Sequence, residues 1–317
     1  MLKLFLKIGG YLFLILIVLE VLVRIFHLAK DTPKRFIDEA KVEKWIPNQK
    51  GIAVTGNRKQ NHARYRINNA GFNSYQEYTP TKEQFELALV GDSFIQGFHQ
   101  DYTHSIGKKI ENALPAIKVY EYAYAGYDFA DQLHLIHAYK KDFDLIDQTI
   151  IYIDFNTDLL RGEYAVIQDR IALQSPLNNM LKKCKLLVYT KSIGVLDPPK
   201  NLVAKLINSL NKRPRATHTK IKKVSHQKNN TIVTYLNNFK KLVTTYGFDK
   251  KRYSLLLNTN TTPKPFLDYL MANHFKIIDF HQALKNATAP TYLIYDQHWN
   301  DYGRTLIANQ ISKTIIP

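Results

Sequence analysis

The sequence predicts a three-layer α/β/α domain built on a doubly wound parallel sheet, preceded by one N-terminal transmembrane helix. Three observations lead there. Short aliphatic runs recur at 85–90, 117–123, 149–155, 253–257 and 275–280, and continuous apolar runs of this length suit strands covered on both faces. Stretches of helical length alternate with them, as βα repeats require. Ahead of all this, residues 8–23 carry a single charge, Glu20.

The amino terminus comes first. Extended to Leu4 and Phe26, with Lys7 and Arg24 reaching outward along their stems, the apolar run approaches the roughly 20 residues that cross a bilayer. A cleaved signal peptide competes, because Lys3 and Lys7 make a short basic lead. No small-x-small cleavage pattern follows, only Arg24-Ile-Phe-His-Leu-Ala-Lys30, so an uncleaved anchor over 1–30 is expected. Positive-inside counting does not orient it, since Lys3 and Lys7 face Arg24, Lys30, Lys34 and Arg35. The single cysteine, Cys184, excludes an intrachain disulfide.

Residues 31–84 read as a polar lead-in packed on the main domain, with a turn at Asn68-Asn-Ala-Gly-Phe72. The domain proper is expected over 85–317. Its first strand ends at Gly91, where the backbone can turn sharply, and Asp92 is a good N-cap for a helix expected over 94–114. Pro115 closes that helix, the second strand follows, and Ala125-Gly126-Tyr127 makes a second small-residue turn before a helix over 131–141. The third strand runs to Asn156-Thr-Asp158. Residues 160–230 break the rhythm with Pro198-Pro199 and a basic run, and read as an insertion. A helix over 230–246, two further strands with a helix at 265–273 between them, and a last helix over 302–313 complete the pattern.

The net charge of +17 is local. Residues 181–230 hold thirteen basic side chains, among them Lys182, Lys183, Lys212, Arg213, Arg215, Lys222 and Lys223, against one acid, Asp197. Such a patch suits an anionic surface partner, lipid headgroups or an acidic polysaccharide, or else is simply solvated. Nucleic acid is not expected, because no recognised module accompanies the charge.

Each predicted strand end carries a residue that acyl transfer can use. Ser93 stands after the first strand as a candidate nucleophile, although Gly-Asp-Ser alone is also an ordinary strand-turn-helix junction. His298 is the candidate base, with Asp296 two residues earlier to orient it. Gly126 can bring a bare backbone N–H close to substrate, and Asn156 carries an amide donor. Taken singly these read as a turn, a cap and a surface loop; their order and placement at strand ends argue together.

On these residues the chain resembles the SGNH (GDSL-like) hydrolase superfamily over about 65–315. Val90-Gly-Asp-Ser-Phe94 matches the first block, Ala125-Gly126 the second, Asn156 with Asp158 the third, and Asp296-Gln-His-Trp-Asn300 with Gly303 the last. The resemblance implies Ser93 as nucleophile, His298 as proton shuttle, and Ser93 N–H, Gly126 N–H and Asn156 as the oxyanion hole. It implies no cofactor and no metal. Asp154 replaces the glycine usual two residues before the third-block Asn, and the Asp-x-His spacing is closer to the alginate O-acetyltransferase-like branch. That branch implies an acylated glycan or other ester as substrate, and a catalytic domain outside the cytoplasmic membrane on a single-pass anchor. A retained fold without catalysis, serving as a glycan-binding or assembly subunit, is the competing expectation. Gly-x-Ser-x-Gly is absent, since Ile95 lies two after Ser93, which excludes an ordinary α/β-hydrolase elbow. His134 and His137 lie three apart on an expected helix without a further metal-ligand set.

Overall fold

A computed structural model describes residues 1–56, 59–172, 174–195 and 224–315. The chain opens on α1 (Leu2–Ile25), continuous and almost entirely exposed along its apolar length. Its mean hydropathy reaches 2.3, so it is long and apolar enough to cross a membrane. Only its last turns meet the domain.

The lead-in carries more structure than its polarity suggested. β1 (Arg35–Ile37) pairs antiparallel with β2 (Glu43–Trp45), and β3 (Lys50–Thr55) with β4 (Asn61–Arg66). β4 buries Ala63 and Tyr65 and turns Arg64 outward, a period-two pattern hidden in a run of polar residues.

The main sheet is parallel and five-stranded, in the order β6-β5-β7-β8-β9. Its members are β5 (Phe85–Gly91), β6 (Ile117–Ala123), β7 (Gln148–Tyr152), β8 (Tyr253–Leu257) and β9 (Lys276–Asp279). Between β5 and β6 the expected helix over 94–114 is divided. α2 (Ser93–Gln96) lasts one turn, because Gly97 adopts φ +66° and a Cβ there would lie 2.6 Å from the Arg304 guanidinium. The chain then loops to α3 (Ile106–Ala113), capped by Ser105, whose Oγ accepts from Lys108 N–H at 3.2 Å. After β6 come α4 (Phe129–Ala138), opened by a reciprocal Asp128–Asp131 capping box, and α5 (Lys140–Leu145). The insertion contributes α6 (Gln168–Ala172), α7 (Pro176–Leu181) and α8 (Lys185–Ser192). Lys212, Arg213, Arg215, Lys222 and Lys223 lie outside the described residues. α9 (Val224–Tyr246), α10 (Lys264–Ala272), α11 (His281–Lys285) and α12 (Asp301–Ser312) complete the chain.

Alternation along the strands makes the three layers. Ala88, Val90, Tyr120, Tyr122, Ile151 and Leu255 face one core, where α4, α9 and α10 supply Leu133, Phe239 and Phe266. Leu87, Leu89, Val119, Ile150 and Leu256 face the other, against Ile106 and Ile110 of α3 and Ile307 and Ile311 of α12. Because the chain leaves β5 for β6 on one side and returns to β7 on the other, the carboxyl ends of β5 and β7 flank a topological switch point. Ligand crevices open at such points in α/β sheets.

Candidate active site

Ser93 stands at that switch point. Gly91 ends β5 where a Cβ would meet Ile95 Cγ1 at 2.5 Å, and Asp92 Oδ1 accepts from Phe94 N–H at 2.8 Å, so the turn into α2 is fixed on both sides of the serine.

His298 arrives from the far end of the chain on a tight loop. Tyr292 and Trp299 form an antiparallel bridge, Leu293 N–H donates to His298 O at 2.7 Å, and Asn300 N–H donates to Thr291 O at 2.9 Å. Trp299, 1% exposed, roots the loop in the core. Gly303 admits it, since a Cβ there would lie 2.2 Å from Thr291 O. Gln297 takes φ +59°, a left-handed conformation uncommon for a residue with a side chain, and stands between Asp296 and His298.

The result is a direct contact between residues 205 positions apart: His298 Nε2 lies 2.8 Å from Ser93 Oγ. Its other nitrogen, Nδ1, has two acceptors, the Asp296 main-chain oxygen at 3.1 Å and Asp296 Oδ1 at 3.3 Å. A proton on Nδ1 leaves Nε2 free to accept from the serine hydroxyl. Phe94 packs on the imidazole with ring centres 4.6 Å apart.

The sequence reading did not include His99. Its ring stacks on that of His298 at 3.9 Å, and its Nδ1 lies 2.7 Å from Asp296 Oδ2, so one carboxylate serves two imidazoles. That second oxygen has no well-aligned hydrogen bond, so the His99 contact is one of proximity. Burial disfavours the Asp296 anion, but contacts from His298 and His99 outweigh it and hold the carboxyl far below the usual range. Burial lowers His99 in turn, against the opposing pull of Asp296. One nitrogen or oxygen from each of His99, Asp296 and His298 falls within 4.8 Å of the others, a set that could hold a metal ion. The carboxylate–imidazole contacts account for the same spacing. His134 and His137 take no part there; His134 Nε2 bonds Ala40 O at 2.9 Å and its ring stacks on Tyr164.

The loop after β7 departs most from the sequence reading. Asn156 is exposed, and its backbone N–H donates to Asp154 Oδ1 at 2.8 Å. Asp154, Thr157 and Asp158 line the hollow of about 350 Å³ that also meets Asp92, Phe94 and Gly126. Asp154 N–H donates to Asp158 Oδ2 at 2.8 Å within this loop. Burial pushes Asp92 up to about 6 and drives Asp158 well above its ordinary value.

Gly126 adopts φ +91° on the wall of the hollow, with the Arg170 guanidinium on its carbonyl. Arg170 is held by Glu43 of β2 at 3.2 Å, so lead-in and insertion together support this wall. A smaller cavity of about 120 Å³ lies beside Phe94, among Tyr152, Phe280, Tyr292 and Trp299.

No family model matches the chain, and no curated protein matches it. Solved structures do. A lipolytic protein of the G-D-S-L family from Veillonella parvula is 12% identical with a TM-score of 0.38, covering 73% of this chain and 98% of its own. The lipase/acylhydrolase from Enterococcus faecalis is 11% identical with a TM-score of 0.38, covering 72% and 94%. A carbohydrate esterase whose active site is described as having divergent catalytic and non-catalytic binding functions is 10% identical with a TM-score of 0.34, covering 90% and 84%.

Proposed function

We propose that this chain is a membrane-anchored, SGNH-type serine esterase or O-acyltransferase, acting on acetyl or similar short acyl esters of a cell-surface or exported glycan. The observation that carries the reading is the 2.8 Å contact of Ser93 Oγ with His298 Nε2 at the carboxyl end of β5. In this reading Ser93 Oγ attacks the ester carbonyl carbon as its proton passes to His298 Nε2, and Asp296 stabilises the imidazolium. The tetrahedral oxyanion is received by the Ser93 and Gly126 backbone N–H groups. Collapse breaks the ester C–O bond, and His298 returns the proton to the departing alcohol. Water or a second sugar hydroxyl, deprotonated by His298, then attacks the acyl-Ser93 ester and releases free acid or a new ester. The 120 Å³ aromatic cavity beside Phe94 matches a small acyl group better than a fatty chain.

One observation favours a second reading, a catalytically silent glycan-binding or assembly subunit. Asp154, an acceptor, lines the hollow where the sequence resemblance expects an amide donor. Incubation of the folded domain with an activated acetyl ester separates the two. Burst release of the leaving group with an acetyl mass increase on Ser93 supports the enzyme; neither signal in a folded sample supports the binding role.

The anchor and its side complete the proposal: α1 spans the cytoplasmic membrane once and the domain lies outside. Full-length protein is expected to stay with membranes through a carbonate wash, and a reporter fused after Pro317 to be active only outside the cytoplasm. A wash-extractable full-length protein overturns the anchor, and a reporter active inside overturns the side.

A further inference from the structure

A basic hollow at the domain end of α1 is unused by the proposed chemistry. It encloses about 700 Å³ and is lined by Arg24 of α1, Lys34 and Lys50 of the lead-in, Lys182 and Lys183 between α7 and α8, and Lys185 at the start of α8. Asp31 is the one acid among its lining residues. Arg24 pairs with Glu20 at 2.6 Å and Lys185 pairs with Asp31, whereas Lys34, Lys50 and Lys183 are exposed. Lys182 is crowded by Arg35 and Lys191, and burial together with these charges lowers its ammonium from the ordinary lysine value. The surplus of positive over negative groups around one cavity favours an anion there.

The apolar surroundings narrow the anion's class. Leu177, Met180 and Leu181 share one face of α7 and are 62%, 60% and 42% exposed, with Met180 itself on the hollow's wall. Leu19 and Leu22 of α1 are 40% and 41% exposed nearby in sequence to Arg24. Depth is fixed by Glu20, whose carboxylate accepts from Lys185 N–H at 3.0 Å and Leu186 N–H at 2.6 Å, while Arg24 Nη2 donates to Lys183 O at 2.6 Å. These bonds tie the last turns of α1 to α8. The stretch left free, residues 2–19, is roughly 27 Å long at 1.5 Å per residue. A bilayer's hydrocarbon core is about 30 Å. Arg24 and the hollow therefore fall at headgroup level when α1 spans.

From this juxtaposition we infer that the hollow binds the phosphate of an anionic membrane lipid, whose acyl chains lie along α1 and α7. The inference rests on the anchor reading above. Its test uses the full-length chain in detergent, with retained lipid counted by native mass spectrometry after addition of phosphatidylglycerol or phosphatidylcholine. Wild type is expected to retain phosphatidylglycerol selectively. The Lys34→Gln/Lys50→Gln/Lys183→Gln variant removes three charges worth about fivefold each near an anionic surface, a combined loss of about 10²-fold. Equal retention by variant and wild type, or no preference over phosphatidylcholine, overturns the site. Inorganic pyrophosphate is the second arm. If it binds with the same dependence on the three lysines while phosphatidylglycerol is not retained, the site takes a soluble phosphate and the lipid assignment falls. Carbonate extraction of the same wild type from its native membranes tests the anchor separately, so a failed anchor and a failed lipid site give different results.

Discussion

Asp296→Asn is the substitution whose outcome the structure makes most specific. In serine triads the acid contributes both the tautomer of the histidine and the stabilisation of its charged form, and loss of both lowers kcat about 10⁴-fold. Here the two are divided between different atoms. The main-chain oxygen of Asp296, 3.1 Å from His298 Nδ1, is retained by asparagine and continues to hold the proton there. What is lost is the carboxylate charge, 3.3 Å away. At an effective dielectric of 20 that separation corresponds to a gross attraction of roughly 5 kcal/mol. Asparagine's amide dipole and inflowing water recover part of it, leaving a net loss of about 2–3 kcal/mol, or about 10²-fold in kcat. The assay is steady-state hydrolysis of p-nitrophenyl acetate, with circular dichroism to confirm folding. A loss as deep as that of Ser93→Ala would show that the main-chain oxygen holds nothing. A loss under about threefold would remove the Asp296 charge from the mechanism.

Other outcomes follow from the same geometry. His99→Ala removes one of the two imidazoles on Asp296, so the Asp296 carboxyl should titrate at higher pH, as followed by NMR of its side-chain carboxyl carbon; an unmoved titration would separate His99 from that carboxylate. Asn156→Ala is expected to cost no more than about tenfold, because the side chain is exposed; a loss of 10²–10³, the worth of an oxyanion donor, would mean that it turns inward on the acyl-enzyme. Burial pushes Glu121 and Asp131 both up to about 7. Each binds a proton more readily folded than unfolded, so stability is fullest at or below the ordinary carboxylate values and declines as pH rises toward 7. Denaturant melts of wild type should weaken across that interval, by roughly 3 kcal/mol for Glu121, and Glu121→Gln should flatten the decline, its amide oxygen still accepting from Gly107 N–H; an equally steep decline in the variant would contradict the assignment. Gly97→Ala, at φ +66° against Arg304, should lose about 1–3 kcal/mol in the same melts, and a neutral result would mean that Arg304 moves aside freely.

The sheet was legible because strands covered on both faces must be apolar throughout. The runs at Ile117–Ala123 and Tyr253–Leu257 occupy the bounds expected of them. The juxtaposition of Ser93 and His298 was legible too, since ligand crevices open just past strand ends at a switch point, and the structure brings the two side chains together. Features that rest on long-range contact were not. The helix over 94–114 is divided at Gly97, whose left-handed turn is taken beside Arg304, more than 200 positions away. His99 lay inside that expected helix, and only the turn after Gly97 sets its ring on His298. In the lead-in, the two inward residues of β4 were outnumbered by polar ones, so apolar periodicity gave little signal. That Asp154, Thr157 and Asp158 line the crevice while Asn156 is exposed is a matter of loop conformation that no pattern in the letters encodes.

The central claim is that Ser93 is a nucleophile activated by His298. Intact-protein and peptide mass spectrometry after exposure to a fluorophosphonate, which reports serine nucleophilicity without requiring the natural substrate, tests it most directly. The account predicts one phosphonyl adduct, located on Ser93, absent from Ser93→Ala and slowed by orders of magnitude in a folded His298→Ala variant. Labelling at another residue, or at Ser93 with the same rate when His298 is removed, would contradict it.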